Sequence, residues 1–324
     1  ITVPYPENGG FMILLNSSLH VFLKAYDSEE ACLDAIFNIK WPRGFRCPDC
    51  SHDDGYRLSN RPRAVQCACC RKQTSITANT IFEDSRMPLA LWFMAIYLVA
   101  NDKGGINALN LAIKLGVRRT TAHRVLQKIR FAMGGRDENI TLAGYIELDE
   151  AFFGGRSATK SKGLSPFHDK VTVLVMVESE NMAAGNLVMK VISDTKMETL
   201  QEAVSKKIDD DPPGHSIRAD ALGRHHGLRS LGHYVNMTVM TKEELNTKMA
   251  CLSLAITHAR RFFKGTYHHY CRLHIQNYLD EFCYRWNRRH LKKQLTSHLI
   301  TACVLQPAVS AKVLKFRPLL SVAA

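Results

Sequence analysis

At 324 residues the chain has room for two or three domains and at least one sizeable core. Its apolar fraction of 46% and charged fraction of 23% are those of a globular protein, which excludes a disordered or collagen-like chain. Lys+Arg of 43 against Asp+Glu of 30 gives a net charge of +13, which favours a polyanionic partner, with nucleic acid ahead of a membrane surface.

No run reaches the roughly 18 apolar residues of a membrane span. No basic start with an apolar core marks a leader, and Met12 reads as a start, leaving residues 1–11 without an assigned role. Ten cysteines without a leader point to a reducing compartment, where thiols serve metal binding or packing.

In chain order, residues 12–45 read as a short helical segment, with Ser28-Glu-Glu30 as its start signal and Ala31, Leu33, Ala35, Ile36 and Ile39 inward. Trp41-Pro42-Arg-Gly44 breaks it. Cys47-Pro-Asp-Cys50 and Cys67-Ala-Cys-Cys70 then form two C-x2-C knuckles, separated by 16 residues. Thiolates at this spacing can wrap a tetrahedral Zn²⁺ at about 2.3 Å, a closed and therefore structural site. The polar chain between the knuckles suits a short β-ribbon, for which the metal replaces a core. Cys32, Cys251, Cys271, Cys283 and Cys303 lack such spacing and read as core.

A helix follows from Pro88 to about Val99, then the linker Asp102-Lys-Gly-Gly105. Residues 106–133 read as a helix pair turning at Gly116. Ala122, Val125, Leu126 and Ile129 turn inward; Arg118, Arg119, Thr120, His123, Arg124 and Gln127 turn outward near the start of the second helix. That matches a helix-turn-helix reading a DNA major groove, with Lys128 and Arg130 nearer phosphates. The alternative is an αα-hairpin with a solvated basic face. Gly134-Gly135 marks a domain boundary.

From 144 the period becomes strand-like: Tyr145–Leu148, Val171–Val177, Leu187–Ile192, then a helix at Met197–Ile208, and strands at Ser216–Ala219 and about Tyr234–Val239. Helices follow from about Lys242. This order describes a mixed sheet covered by helices, an α+β fold. Ile275, Tyr278, Leu279, Phe282 and Trp286 are spaced as a core face. Asp149 sits in an apolar strand, and Asp220 follows the strand Ser216–Ala219. Two such aspartates can bridge two Mg²⁺ ions about 4 Å apart for in-line phosphoryl displacement.

Cys47–Cys70, Thr80-Ile-Phe82 with Trp92-Phe-Met-Ala-Ile96, Ile146–Gly155, Gly265-Thr-Tyr-His-His269 and Tyr278–Arg289 together resemble the insertion-sequence transposases of the IS fifteen-ninety-five group, from about residue 15 to about 305. The resemblance implies a zinc ribbon, a ribonuclease H-like DDE domain, Mg²⁺-dependent cleavage at transposon ends, and joining of the 3′-hydroxyl to target DNA. It implies that the N-terminal modules bind terminal inverted repeats in double-stranded DNA, a homo-oligomeric synaptic complex, and a bacterial, cytoplasmic, nucleoid-associated setting. Asp149 and Asp220 fall on the first two catalytic aspartates. The family's third group, a Glu, His or Asn, lies seven residues before a Lys that precedes the Gly-Thr-Tyr-His motif by five. Here those positions hold Ser253 and Arg260, with His258 nearby. Ser253 is neutral and a weak metal ligand. The chain is thus either an enzyme with an unusual third group or a DNA-binding remnant; a zinc-ribbon transcription regulator is a further alternative. The expected domains are a helix and ribbon over 12–78, a helix-turn-helix region over 79–135, the catalytic domain over 140–305, and a tail over 306–324.

Overall fold

The computed structural model describes residues 18–154, 170–181, 183–208, 215–220, 228–238, 241–267, 272–291, 294–310 and 313–314. The chain divides into two compact units. One comprises residues 1–136 with 291–310; the other comprises 137–290 with 311–324.

In the first unit the segment expected as one helix is two, α1 (Leu19–Ala25) and α2 (Glu29–Lys40). Ser28 starts α2 as its composition suggests: its hydroxyl accepts from the Ala31 N–H at 3.2 Å. A three-stranded antiparallel sheet follows, made of β1 (Gly55–Leu58), β2 (Arg61–Cys67) and β3 (Gln73–Ser75) in that order. Then come α3 (Leu89–Asn101), α4 (Ala108–Leu115) and α5 (Arg119–Asp137).

The glycine pair expected to mark a boundary lies inside α5, and the two units divide just after it, between Arg136 and Asp137. At Gly135 the side-chain amide of Gln306 lies 1.8 Å from where a Cβ would stand. That contact belongs to a second departure. The last helix, α10 (Leu295–Leu305), was expected within the catalytic domain but packs on α3 and α2. Thr296, Ser297, Leu299, Ile300, Ala302, Cys303 and Val304 are all buried, and an apolar helix of this kind needs partners on several sides.

The second unit is a five-stranded sheet. Its strands are β4 (Tyr145–Phe153), β5 (Val171–Glu180), β6 (Ala183–Val191), β7 (Ser216–Asp220) and β8 (Tyr234–Thr238). Their order is β6-β5-β4-β7-β8, with β4–β5 and β5–β6 antiparallel and β4–β7 and β7–β8 parallel. Helix α6 (Met197–Ser205) crosses between β6 and β7. A three-stranded meander followed by a crossover to two parallel strands is the ribonuclease H-like order.

Strand β4 runs past Asp149 to Phe153, five residues beyond the expected end at Leu148. It needs that length because both of its faces are buried. Ile146 and Leu148 join Leu174, Met176, Ile217 and Ala219 beneath α6. Ala151 and Phe153 join Val173, Val175, Leu187 and Met189 beneath α8 (Ala250–Thr266) and α9 (Ile275–Asn287). With alternating side chains, Glu147 and Asp149 share the face of Ala151 and Phe153. A short helix, α7 (Lys242–Lys248), precedes α8. Among the described residues no helix is long and apolar enough to cross a membrane.

Candidate functional site

The four knuckle cysteines converge in the first unit. One sulfur from each of Cys47, Cys50, Cys67 and Cys70 lies within 4.8 Å of all the others. The Cys47–Cys70 and Cys50–Cys67 sulfurs are 3.6 Å apart. A tetrahedron of thiolates at about 2.3 Å from Zn²⁺ has edges of about 3.8 Å, so the set fits that ion.

The two knuckles repeat one backbone design. The Cys47 N–H donates to His52 O and the Ser51 N–H donates back to Cys47 O; the Cys67 N–H donates to Lys72 O and the Arg71 N–H to Cys67 O. Ser51 and Arg71 both take left-handed φ, at 61° and 60°. The N–H of Cys50 helps draw the Cys47 thiol down to about 6. Cys70 gains from the Lys72 N–H, yet the neighbouring sulfur of Cys50 leaves it pushed up to about 12. Four sulfurs this close cannot all ionise without a cation between them.

Gly116 closes α4 at φ 66°, and Asn107 opens it by accepting from the Asn110 N–H at 2.9 Å. Arg118, Arg119, Thr120 and Arg124 are exposed at the start of α5, as the pattern suggests. Gln127 is not: it is 2% exposed, with its amide 3.3 Å from the ring of half-buried His123. Lys128 and Arg130 also differ from expectation. Lys128 donates to Ile81 O at 2.7 Å, burial holds its amine below the ordinary range, and Arg130 is fully buried. The cause is that α5, beyond its first turns, is covered on most of its circumference. Only its N-terminal end is open to a partner.

The carboxylates belong to the second unit. β4 and β7 pair in parallel as Glu147↔Arg218 and Leu148↔Ala219. Asp149 and Asp220 each stand one residue beyond that last pair. Both follow the parallel pairing toward the C-terminal end, where open sheets bind ligands, and Asp149 is on the face covered by α8. Asp149 is half-buried, and its Oδ1 accepts from the Glu150 N–H at 2.8 Å.

Glu147 was not anticipated as part of this arrangement. It is 3% exposed, and its Oε2 accepts from the Leu252 N–H at 2.7 Å. No side chain of α8's own flank caps that helix. The carboxylate of β4 therefore takes up an orphan N–H at its N-terminus. Burial raises the Glu147 carboxyl above its ordinary range, against the N–H of Leu252 and the charge of Arg218. From this anchor α8 runs alongside β4 in the same direction, since Phe263 meets Phe153 at 5.5 Å.

The two flanks of α8 differ. His258 packs on Trp286, with ring centroids 6.0 Å apart, and Phe262 packs on Phe282. Both partners lie on α9, which lies over β6: Trp286 donates to Gly185 O and Gln276 to Met189 O, each at 3.0 Å. That flank points away from β7. Ser253 and Arg260, two turns apart, share the other flank, toward β7. His258 therefore does not join them: five residues from Ser253, it lies about 140° around the helix.

Glu244, in the short helix ahead of α8, is engaged. Thr241 and Glu244 form a capping box on α7, with Thr241 N donating to Glu244 at 2.9 Å and Glu244 N to Thr241 Oγ1 at 3.3 Å. The Thr241 N–H and Lys248 draw the Glu244 carboxyl down to about 2. The arginines at the end of α9 also serve the fold. Arg285 pairs with Glu281 at 2.9 Å, Arg288 with Asp137 at 2.6 Å, and Arg289 donates to Trp286 O at 2.8 Å. His268 and His269 of the Gly-Thr-Tyr-His-His stretch lie outside the described residues.

A four-thiolate ribbon in one unit and a ribonuclease H-like sheet with strand-end aspartates in the other define a metal-ribbon protein with a nuclease-type fold. Two family models match in the same order: the transposase zinc-ribbon domain over residues 27–73 and the ISXO2-like transposase domain over residues 141–287. The chain belongs to this family of insertion-sequence transposases. An uncharacterized protein in transposable element ISH50 of Halobacterium salinarum is 25% identical over 260 residues, spanning 72% of this chain and 84% of that protein. Among solved structures, the Mos1 strand transfer complex aligns at 11% identity with a TM-score of 0.30, covering 67% of this chain and 78% of that one. A pre-cleavage Mos1 transpososome aligns at 10% identity with a TM-score of 0.28, covering 64% and 77%.

Proposed function

We propose that this transposase binds the terminal inverted repeats of its own element in double-stranded DNA and performs Mg²⁺-dependent strand cleavage and transfer. The reading rests on one observation: Asp149 and Asp220 each follow directly on the Leu148–Ala219 pair of two parallel strands. Oxygen donors of this kind suit Mg²⁺, which when bound supplies charge neutralisation at the scissile phosphate and activation of the attacking hydroxyl. The chain's own groups do the rest. The pairing of β4 with β5 and β7 fixes the Asp149 backbone, and Glu147 fixes the helix that carries Ser253 and Arg260. Arg260, exposed on the β7 flank, offers a permanent charge to a DNA phosphate. In the first unit, Arg118, Arg119, Thr120 and Arg124 at the open end of α5 would enter a major groove, as in a helix-turn-helix. The ribbon, held by Cys47, Cys50, Cys67 and Cys70 on Zn²⁺, would follow the adjoining backbone. The active assembly is a homo-oligomer that holds two ends together.

The test uses the zinc-loaded full chain and a plasmid carrying the element's own ends. Wild type cuts the ends with Mg²⁺; Asp149→Asn and Asp220→Asn retain end binding and do not cut. Cutting by either variant would overturn the reading. A second reading, a DNA-binding remnant, is favoured by Ser253, a neutral and weak metal ligand at the third position, with Glu147 and Glu244 both engaged in capping helices. In that case wild type binds ends without cutting, and Ser253→Glu gains activity.

A further inference from the structure

The outer surface of α8 carries a charge pattern unlike that of its neighbours. Its 17 residues include Arg260, Arg261 and Lys264 and no acidic residue. On or just past the other helices of this unit, three described cations are paired one turn back: Lys206 with Glu202, Lys248 with Glu244, Arg285 with Glu281. Arg260, Arg261 and Lys264 are all exposed and make no hydrogen bond or ion pair with a described residue. Three like charges within five positions repel one another, and Arg260 with Lys264 is a like-charged i,i+4 pair. The favourable position of Lys264 near the helix C-terminus offsets only part of that cost. Such a ridge is stable when a polyanion lies on it.

Its direction is set by the site. α8 is anchored near its start on Glu147, two residues before Asp149, and runs beside β4 to Phe153. Arg260 and Lys264 continue the flank of Ser253, on the side of β7 and Asp220, and Arg261 faces outward beside them. Resting on the transposase reading, we propose that α8 is the track for the DNA strand that enters the Asp149 site. Lys264 holds the phosphate next to the one held by Arg260, and Arg261 holds the rim. Residues one turn apart have Cβ atoms about 5–6 Å apart, a spacing that long side chains can match to neighbouring phosphates. Lys264 is then a positioning residue, which sets where along the strand the scissile phosphate falls.

The test is site-specific photocrosslinking with the zinc-loaded full chain. A benzoyl-phenylalanine replaces residue 264, 118 or 206 in turn, with a duplex carrying the element's end as probe. Crosslinks at 264 and 118 and none at 206, at the end of α6 beneath the opposite sheet face, are the expected result. No crosslink at 264 while 118 crosslinks would overturn the proposal and leave the DNA-binding reading intact. No crosslink at either position would instead sink that earlier reading. Salt titration gives an independent readout. Lys264→Ala should flatten the slope of log K against log[NaCl] by about 0.9, and at 0.1 M salt weaken binding about eightfold, while Lys264→Arg restores both. An unchanged slope would contradict the assignment. Thermal melting of Lys264→Ala matching wild type separates this role from a structural one.

Discussion

Replacing Glu147 tests how the sheet holds the helix that completes the site. The carboxylate is buried and takes the Leu252 N–H of α8 at 2.7 Å. Glu147→Ala removes the acceptor, leaves a buried N–H without a partner, and opens a small void. A lost cap costs about 0.5–2 kcal/mol and a buried unsatisfied donor about 1–3 kcal/mol. These descriptions overlap, so the expected loss is about 2–3 kcal/mol. For a unit of this size that lowers Tm by roughly 4–12 °C. Glu147→Gln keeps an acceptor oxygen without the charge, so it should cost far less.

The pH dependence has a definite sign. Burial raises the folded carboxyl above its unfolded value, so the native state favours the protonated form. This contribution to stability is full below the unfolded pKa of about 4.3 and is lost as pH rises through the folded value. The stability of Glu147→Gln relative to wild type should therefore rise between pH 4 and pH 7. Urea unfolding read by Trp286, in a Trp41→Phe, Trp92→Phe background, reports this unit alone. If Glu147→Gln falls as far as Glu147→Ala and the gap does not change with pH, the capping account is wrong.

Other predictions concern the first unit. Cys67→Ser should abolish bound zinc by metal analysis and expose the β1–β2 ribbon to protease; retained metal at full stoichiometry would contradict the four-thiolate site. Arg71→Gly should stabilise the ribbon by about 0.5–1 kcal/mol, because φ of 60° costs an L-residue about 1–2 kcal/mol and added chain entropy returns only part of that. Equal or lower thermal stability of the variant would contradict this. Arg119→Ala should weaken end binding measurably in a mobility shift, whereas Gln127→Leu should leave it within twofold; the reverse order would refute the assignment of the open end of α5.

Much of this was legible because local chemistry and spacing determine it. C-x2-C pairs place sulfurs together almost regardless of context, and Ser28 caps α2 through its own next residues. The apolar period of α9 is satisfied in full: Ile275, Tyr278, Leu279, Phe282 and Trp286 are all buried. The positions of the strands along the chain followed from the apolar runs. What failed depends on contacts distant in sequence. Gln127 and Arg130 look like surface residues, yet α5 is covered around most of its circumference. α10 packs on α2 and α3, elements that precede the sheet, which no local pattern encodes. Glu147 reads as one more acid beside Asp149, and its partner is an N–H 105 residues away. A carboxylate in the middle of an otherwise apolar strand was the available signal that it must be bonded inside.

The central claim is that Asp149 and Asp220 act together in metal-dependent phosphoryl transfer. The most direct measurement is a metal switch at the second aspartate. Asp220→Cys should lose end cleavage with Mg²⁺ and regain it with Mn²⁺, a more thiophilic ion, while end binding stays constant. Full cleavage by Asp220→Cys or Asp149→Ala with Mg²⁺ would contradict the account.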